Sequence, residues 1–279
     1  MTDPLLICTD LDRTLIPNGH QHESPGARER FARLVADPGV VLAYVSGRDE
    51  RLLREAIANY DLPRPDFAIG DVGTTIYRID GSDWQTWDDW YREIAPDWAG
   101  YDHADLARRL EGIDGLEPQE PPKQNTYKLS YYSPADIDAE VLIAAIQERL
   151  EPAGIRASVI WSVDEMKDVG LVDVLPLGAT KIHAIRFIQS RLRIPAERTV
   201  FAGDSGNDLP ALISDLPAVL VANARPDVSV AARRLAHENG TDDHLYVARG
   251  EFLGMNGNYA AGILEGIAHY HPDTLALMA

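Results

Sequence analysis

The chain holds one cysteine, Cys8, among 279 residues, so no internal disulfide can form. Cys8 lies inside the apolar run Leu5-Leu6-Ile7-Cys8 and reads as a small core residue. Thiol poverty without a disulfide framework points to the cytoplasm as the expected location. Cations are scarce as well: 26 Lys and Arg stand against 44 Asp and Glu, for a net charge of −18. Nucleic acid and anionic membranes both demand a basic patch, so neither is an expected partner. An anionic small molecule must instead be drawn into a locally positive pocket against the global field. Long apolar runs are missing, and none approaches the ~20 residues that span a bilayer. Met1-Thr2-Asp3-Pro4 lacks the basic region and apolar stretch of a signal peptide. There is no internal repeat or low-complexity segment, and the histidines show no pair at metal-ligand spacing. What is present is an ordinary globular balance, 45% hydrophobic and 25% charged, long enough for one large or two modest domains.

Leu5 to Thr9 reads as a buried strand, followed by a turn-rich stretch and a helix presenting Ala27, Phe31, Leu34 and Val35. Val40 to Val45 is a second buried strand, a helix presents Leu53, Ala56, Ile57 and Tyr60, and Asp66 to Gly70 is a third strand. This alternation is the rhythm of βαβ units and a parallel sheet. Near Gly73 the pattern changes. Thr74 to Ile79 alternates into an Asp80-Gly81 hairpin turn, and four of the five tryptophans follow between Trp84 and Trp98. Asp102 to Ile113 reads as a helix, Glu117 to Gln124 with its three prolines as a loop, and Tyr127 to Tyr132 as a strand. Ser133-Pro134 is expected to start a helix with Val141, Leu142, Ala145, Ile146 and Leu150 inward, and Ile155 to Trp161 is another strand. The βα rhythm returns at Leu171 to Leu175, then a helix carrying Lys181, a strand from Arg198 to Ala202, and a short strand ending at Asn223. The expected architecture is α/β: a Rossmann-like, doubly wound parallel-sheet core from residues 1–79 and 171–279, with a smaller α+β lobe, residues 80–170, inserted.

Four polar clusters fall where an apolar strand ends or the next helix begins: Asp10-x-Asp12-x-Thr14, Ser46-Gly47-Arg48, Lys181, and Gly203-Asp204-x-x-Asn207-Asp208. Parallel strands direct such ends to one edge, so the clusters converge. Asp10 and Asp12, two close carboxylates, need a cation or a shared proton to coexist. Mg²⁺ suits them, since it takes one or two carboxylates, waters and a substrate phosphate. Carboxylates, a small hydroxyl beside free amides, and one or two cations make the inventory of Mg²⁺-assisted phosphoryl transfer.

These clusters, in this order and with about 190 residues between the first and the last, resemble motifs one to four of the haloacid-dehalogenase-like hydrolase superfamily. The insertion after the third strand resembles members with a class-two α/β cap. A finer resemblance is to the sucrose-phosphate phosphatases and related disaccharide-phosphate phosphatases. It is carried by Ile69-Gly70-Asp71-Val72-Gly73-Thr74, Tyr127 to Tyr132, Val172 to Pro176 ahead of Lys181, and Ala222-Asn223-Ala224. Arg13 departs from that pattern, where many sugar phosphatases carry glycine.

The resemblance implies a phosphatase that hydrolyses a disaccharide phosphate such as sucrose 6-phosphate through an aspartyl-phosphate. Asp10 is the implied nucleophile, and Asp12 the acid and then the base, its carbonyl also on the metal. Thr14, Ser46, Gly47, Arg48 and Asn207 are implied at the phosphate, Lys181 as the catalytic cation, Asp204 and Asp208 with Asp10 and Asp12 as the metal set, and Lys128 at the sugar.

Plainer readings stand beside these. Lys181 alone is a solvated lysine in a first turn, Arg48 a surface cation, and Asp208 a helix cap. The tryptophans serve lobe packing more readily than sugar stacking. Three rivals to hydrolysis remain. A mutase or phosphotransferase on the same core should carry more cations in its cap than the single Lys123 of the 117–124 loop. A non-catalytic partner of a sugar-phosphate synthase should lose motif residues, which are intact here. A dehalogenase has no use for a second acid at Asp12.

Overall fold

The computed structural model describes residues 4–164 and 167–279. Met1 to Asp3, within the N-terminal reading, and Glu165 and Met166 lie outside the described residues. The chain divides into two compact units, Met1–Gln85 with Lys181–Ala279, and Thr86–Thr180.

The first unit begins β1 (Leu5–Asp10), α1 (Ala27–Val35), β2 (Val40–Val45), α2 (Glu50–Asn59), β3 (Phe67–Gly70), β4 (Thr75–Asp80) and β5 (Asp83–Thr86). All six residues of β1 are buried, because β1 is paired with a parallel neighbour on each edge and covered on both faces. Gly81 turns the β4–β5 hairpin with a φ of 60°, which an L side chain resists.

The second unit holds α3 (Asp88–Ile94), α4 (His103–Leu110), β6 (Glu117–Pro118), β7 (Leu129–Pro134), α5 (Ala139–Leu150), β8 (Ala157–Asp164) and β9 (Val169–Pro176). Its strands form an antiparallel sheet in the order β6-β7-β9-β8. A core of its own includes Trp98, Leu106, Leu129, Leu142, Ile146 and Val174. Asp102 and Asp105 close a capping box at the start of α4, which satisfies amides that the first turn leaves open.

The first unit resumes with α6 (Lys181–Leu192), β10 (Thr199–Gly203), α7 (Leu209–Leu212), β11 (Ala218–Leu220), α8 (Pro226–Asn239), β12 (Leu245–Val247), α9 (Ala260–Tyr270) and α10 (Leu275–Met278). Its sheet runs β12-β11-β10-β1-β2-β3-β4-β5, parallel from β12 to β3. Leu5 and Ile7 join the core built with α1, α2 and α9, and pleating turns Leu6 and Cys8 to the opposite face. The chain leaves β1 toward β2 on one side and returns through β10 on the other. That reversal opens a crevice at the carboxyl ends of β1 and β10, where α/β sheets place ligands.

Four expectations are corrected. Leu171 to Leu175 does not resume the core. It lies in β9, pairing antiparallel with β7 and β8, so the second core segment begins at 181 and not at 171. The reason is visible in burial: Gly170, Val172 and Val174 are buried while Leu171 and Asp173 are half-buried, the alternation of a one-sided sheet. The β4–β5 hairpin extends the core sheet, which moves the first boundary from 80 to 86. Ser133-Pro134 ends β7 and starts no helix. Asp138 caps α5 by accepting from the Glu140 and Val141 amides, and this phase leaves Val141 64% exposed. The 117–124 stretch, expected as loop, holds β6 and one 3₁₀ turn over Pro121–Lys123.

Candidate active site

Asp10 is the last residue of β1. The chain then folds into a tight turn, with the Thr14, Leu15 and Ile16 amides all donating to the Leu11 carbonyl. Arg13 takes a left-handed φ of 61°, the backbone that glycine adopts most readily and that costs another residue about 1–2 kcal/mol. This turn brings the fully buried Thr14 hydroxyl 3.2 Å from Asp204 Oδ1 and 3.4 Å from Asp10 Oδ2.

Asp204 follows β10, which pairs with β1, so the two aspartates leave adjacent strand ends. Gly203 is required for packing: a Cβ there would sit 2.7 Å from Asp208 Cγ. Asp208 therefore folds back under the strand end. Its Oδ2 accepts from the Asp204 and Ser205 amides, each at 3.1 Å, and from Ser205 Oγ at 2.9 Å. Its Oδ1 accepts from Lys181 Nζ at 2.7 Å. The same Nζ donates to Asp10 Oδ1 at 2.9 Å, so the first residue of α6 bridges two buried carboxylates. Lys181 is thus no solvated lysine.

Charge is unbalanced here. Burial, helped by Asp208 and Asp204 and opposed by Lys181, pushes the Asp10 pKa up to about 7. Burial and Asp208, against the charge of Arg13, push Asp204 up to about 6. Burial works against the Lys181 charge, yet Asp10 and Asp208 outweigh it and raise its pKa. Three carboxylates share one buried ammonium, with the Arg13 guanidinium 3.4 Å from Asp204 Oδ2. One oxygen from each of Asp10, Asp204 and Asp208 falls within a 4.8 Å cluster. This donor set fits an oxygen-seeking divalent cation, whose charge would offset the excess. Both Asp208 oxygens are taken by close protein donors, whereas Asp10 Oδ2 and Asp204 Oδ1 share the single proton of the Thr14 hydroxyl, at 3.4 and 3.2 Å, which makes these two the less committed oxygens for a metal.

Asp12 stands apart from these three. Arg48 grips its carboxylate as a fork, at 2.8 and 2.6 Å, and Asn18 Nδ2 adds a third donor at 2.7 Å. Burial would raise its pKa, but the Arg48 and Asn18 contacts outweigh it and hold the group ionised. The side chains of Asp10, Asp204 and Asp208 are brought together, while Asp12, expected at the metal through its backbone carbonyl, keeps its carboxylate apart on Arg48.

A cavity of about 720 Å³ opens over the site, and Asp10, Asp12, Ser46, Gly47, Arg48, Asp204 and Asn207 line it. Ser46 is buried at the end of β2 and its Oγ accepts from the Arg48 amide. Asn207 is exposed and its side-chain amide lies 2.6 Å from Ser205 Oγ. Thr14, Lys181 and Asp208 sit behind the lining and act on it through Asp10 and Asp204. Lys128 lies in the second unit, buried just before β7. Trp98 is in that unit's core and Trp90 is buried, the packing use expected for the tryptophans.

Sequence reasoning missed three residues. Arg225 and Asp227 line the same cavity as an ion pair, with nothing in their spacing to mark them. Asn223 donates to the Arg13 carbonyl, and its place at the end of an apolar strand was the available signal.

Sheet order, aspartates at the ends of β1 and β10, and a lysine opening α6 define a haloacid-dehalogenase-like phosphohydrolase. The family model described as sucrose-6F-phosphate phosphohydrolase matches residues 3–271, and the chain belongs to that family. A protein of Nitrosococcus oceani named for the HAD-like hydrolases is 55% identical over all of this chain and 75% of its own length. The mannosylfructose-phosphate phosphatase of Agrobacterium fabrum is 30% identical over 95% of this chain and 96% of its own. Among solved structures, the sucrose-phosphatase of Synechocystis in complex with sucrose and phosphate superposes with a TM-score of 0.72 at 28% identity, covering 96% of this chain and 98% of that one. The chain is a phosphoric monoester hydrolase of the sugar-phosphate phosphatase class. Among the described residues, no helix is long and apolar enough to cross a membrane.

Proposed function

We propose that this chain hydrolyses a disaccharide phosphate of the sucrose 6-phosphate kind, with Asp10 as nucleophile, Asp12 as proton carrier and Mg²⁺ as the cation between Asp10 and Asp204. The observation that carries the reading is the buried Asp10–Lys181–Asp208 bridge beside Asp204, which orients one carboxylate and leaves its second oxygen facing only a long, 3.4 Å contact from the Thr14 hydroxyl among the bonds described. The names of the relatives, mannosylfructose-phosphate phosphatase and sucrose-phosphatase, support the substrate class. In this reading the first unit performs the chemistry and the second, with Lys128, reads the sugar.

The Asp10 oxygen attacks phosphorus, forming the acyl-phosphate bond as the bond to the sugar oxygen breaks. That oxygen leaves with a proton from Asp12, which takes that proton from solvent once the phosphate draws Arg48 away. A water then returns a proton to Asp12 and attacks phosphorus, which frees Asp10 and inorganic phosphate. Bound Mg²⁺ would supply charge neutralisation for nucleophile and phosphate together. Lys181 fixes Asp10 and offsets negative charge throughout. Arg48 has two acceptors to serve. It holds Asp12 ionised now, and an incoming phosphate dianion competes for the same fork, which frees Asp12 to carry its proton. Ser46, the Gly47 amide and Asn207 face the cavity as neutral donors to the phosphoryl oxygens.

The test is phosphate release across a panel of mono- and disaccharide phosphates, with Mg²⁺ and with EDTA. The expected result is fastest release from a disaccharide phosphate and none in EDTA. Isomerised sugar phosphate without free phosphate, or full turnover by Asp10→Asn, would refute the reading.

A further inference from the structure

Asn223, two residues past Val221 and 3% exposed, is clamped at both ends of its amide. Nδ2 donates to the Arg13 carbonyl at 2.6 Å, and Oδ1 accepts from the Tyr259 backbone N–H at 2.8 Å. A carbonyl can only accept and an amide N–H can only donate, so the orientation of the Asn223 amide is forced. Both partners have uncommon backbones: Arg13 has φ 61°, and Tyr259 has φ 51° and ψ −132°. Such conformations persist where the surroundings over-determine them. Here the Tyr259 ring is fully buried and its hydroxyl donates to the Gln21 carbonyl at 3.2 Å. On the other side, the Arg13 N–H is tied to Asn18 Oδ1 at 2.8 Å and to the Ile16 carbonyl at 3.1 Å.

The Arg13 carbonyl belongs to the Arg13–Thr14 peptide. Thr14, the residue on the nitrogen side of that peptide, sets its hydroxyl between Asp10 and Asp204. We propose that Asn223 is a positioning residue for the hydrolytic reaction: it locks the Arg13–Thr14 peptide plane against Tyr259 and so keeps the loop 10–14 in register with Asp204. It touches neither substrate nor reacting atoms. The inference rests on Asp10 and Asp204 forming the catalytic centre. No other single side chain of this size both donates and accepts along one short axis, so neither Asp nor Ala can replace Asn here.

The experiment compares wild type with Asn223→Ala and Asn223→Asp, using p-nitrophenyl phosphate and saturating Mg²⁺, with circular dichroism and thermal melts on the same samples. Misplacement of a loop by a fraction of an ångström predicts a kcat lower by about 10- to 100-fold with KM little changed. A purely structural role would lower the melting point and leave the kcat of the folded fraction intact. Calorimetric titration with MgCl₂ alone should show affinity weakened by about tenfold in both variants. A folded Asn223→Ala protein with kcat within about twofold of wild type overturns the proposal. Failure of both variants to fold also overturns it, since Asn223 would then be a folding residue. A wild type that releases no phosphate strikes the phosphatase reading itself. The Mg²⁺ titration then judges the clamp, and unchanged affinity overturns it.

Discussion

Replacing Asp10 with Asn should abolish turnover and yet make the metal-free protein more stable above neutral pH. Burial holds Asp10 up at about 7 even with Lys181 beside it, against 3.8 for a free carboxyl, so ionising it in the folded state is uphill. Below pH 3.8 folded and unfolded chains both carry the proton, and the stability it confers is fully present. As pH rises, the unfolded chain ionises first and stability falls, and the loss is complete above the folded pKa near 7. From pH 5 to pH 8 the wild type should therefore lose about 2–3 kcal/mol at this residue, at 1.36 kcal/mol per tenfold in proton affinity. Asn cannot ionise and keeps an oxygen for Lys181. The stability gap between Asp10→Asn and wild type should thus widen by that amount over the same range. Urea melts of both proteins in EDTA at the two pH values measure it. Titrating groups remote from the site cancel in the difference. Added Mg²⁺ should reverse the order, because a ligand that binds only the folded wild type stabilises it by mass action. A gap that is constant or narrows with pH would refute the view that the site is short of positive charge.

Gly203→Ala should lower phosphate release by at least about tenfold, because the new Cβ collides with an Asp208 carboxylate held by four donors, and overpacking of this kind costs about 1–3 kcal/mol in a melt. Trp98→Ala should destabilise by about 3–5 kcal/mol, since the ring is fully buried in the core of the second unit; a melting point within a degree of wild type would contradict that placement.

The core was readable where apolar runs were buried on both faces. β1, β2 and β10 are such runs, and each ends at a polar cluster. Reading was poorer where burial is one-sided. β9 carries Asp173 in its middle, and taking Leu171 to Leu175 as a continuous run placed it in the wrong sheet. The phase of α5 was lost for a related reason: Val141 is apolar but lies on the outer face, and only the Asp138 cap shows where the first turn begins. Spacing along the chain also does not say which side-chain oxygens are already occupied: the Asp12 carboxylate is taken by Arg48, 36 residues away, and that of Asp208 by Lys181, 27 residues away.

Taken alone, the amino-acid order sends Asp10, Ser46 and Asp204 to one rim of a parallel sheet, because strand–helix alternation turns those strand ends the same way, whereas Lys181 follows a strand of the other sheet and reaches that rim only through the tertiary structure. It also determines the scarcity of cations, 26 Lys and Arg against 44 Asp and Glu. Partnership among those groups belongs to the tertiary structure. Thr14 meets Asp204 across 190 residues, and Asn223 meets Arg13 across 210. Hydrogen bonds and burial vary over tenths of an ångström, and distances on that scale are set by the packing of the whole core, not by neighbours in the chain.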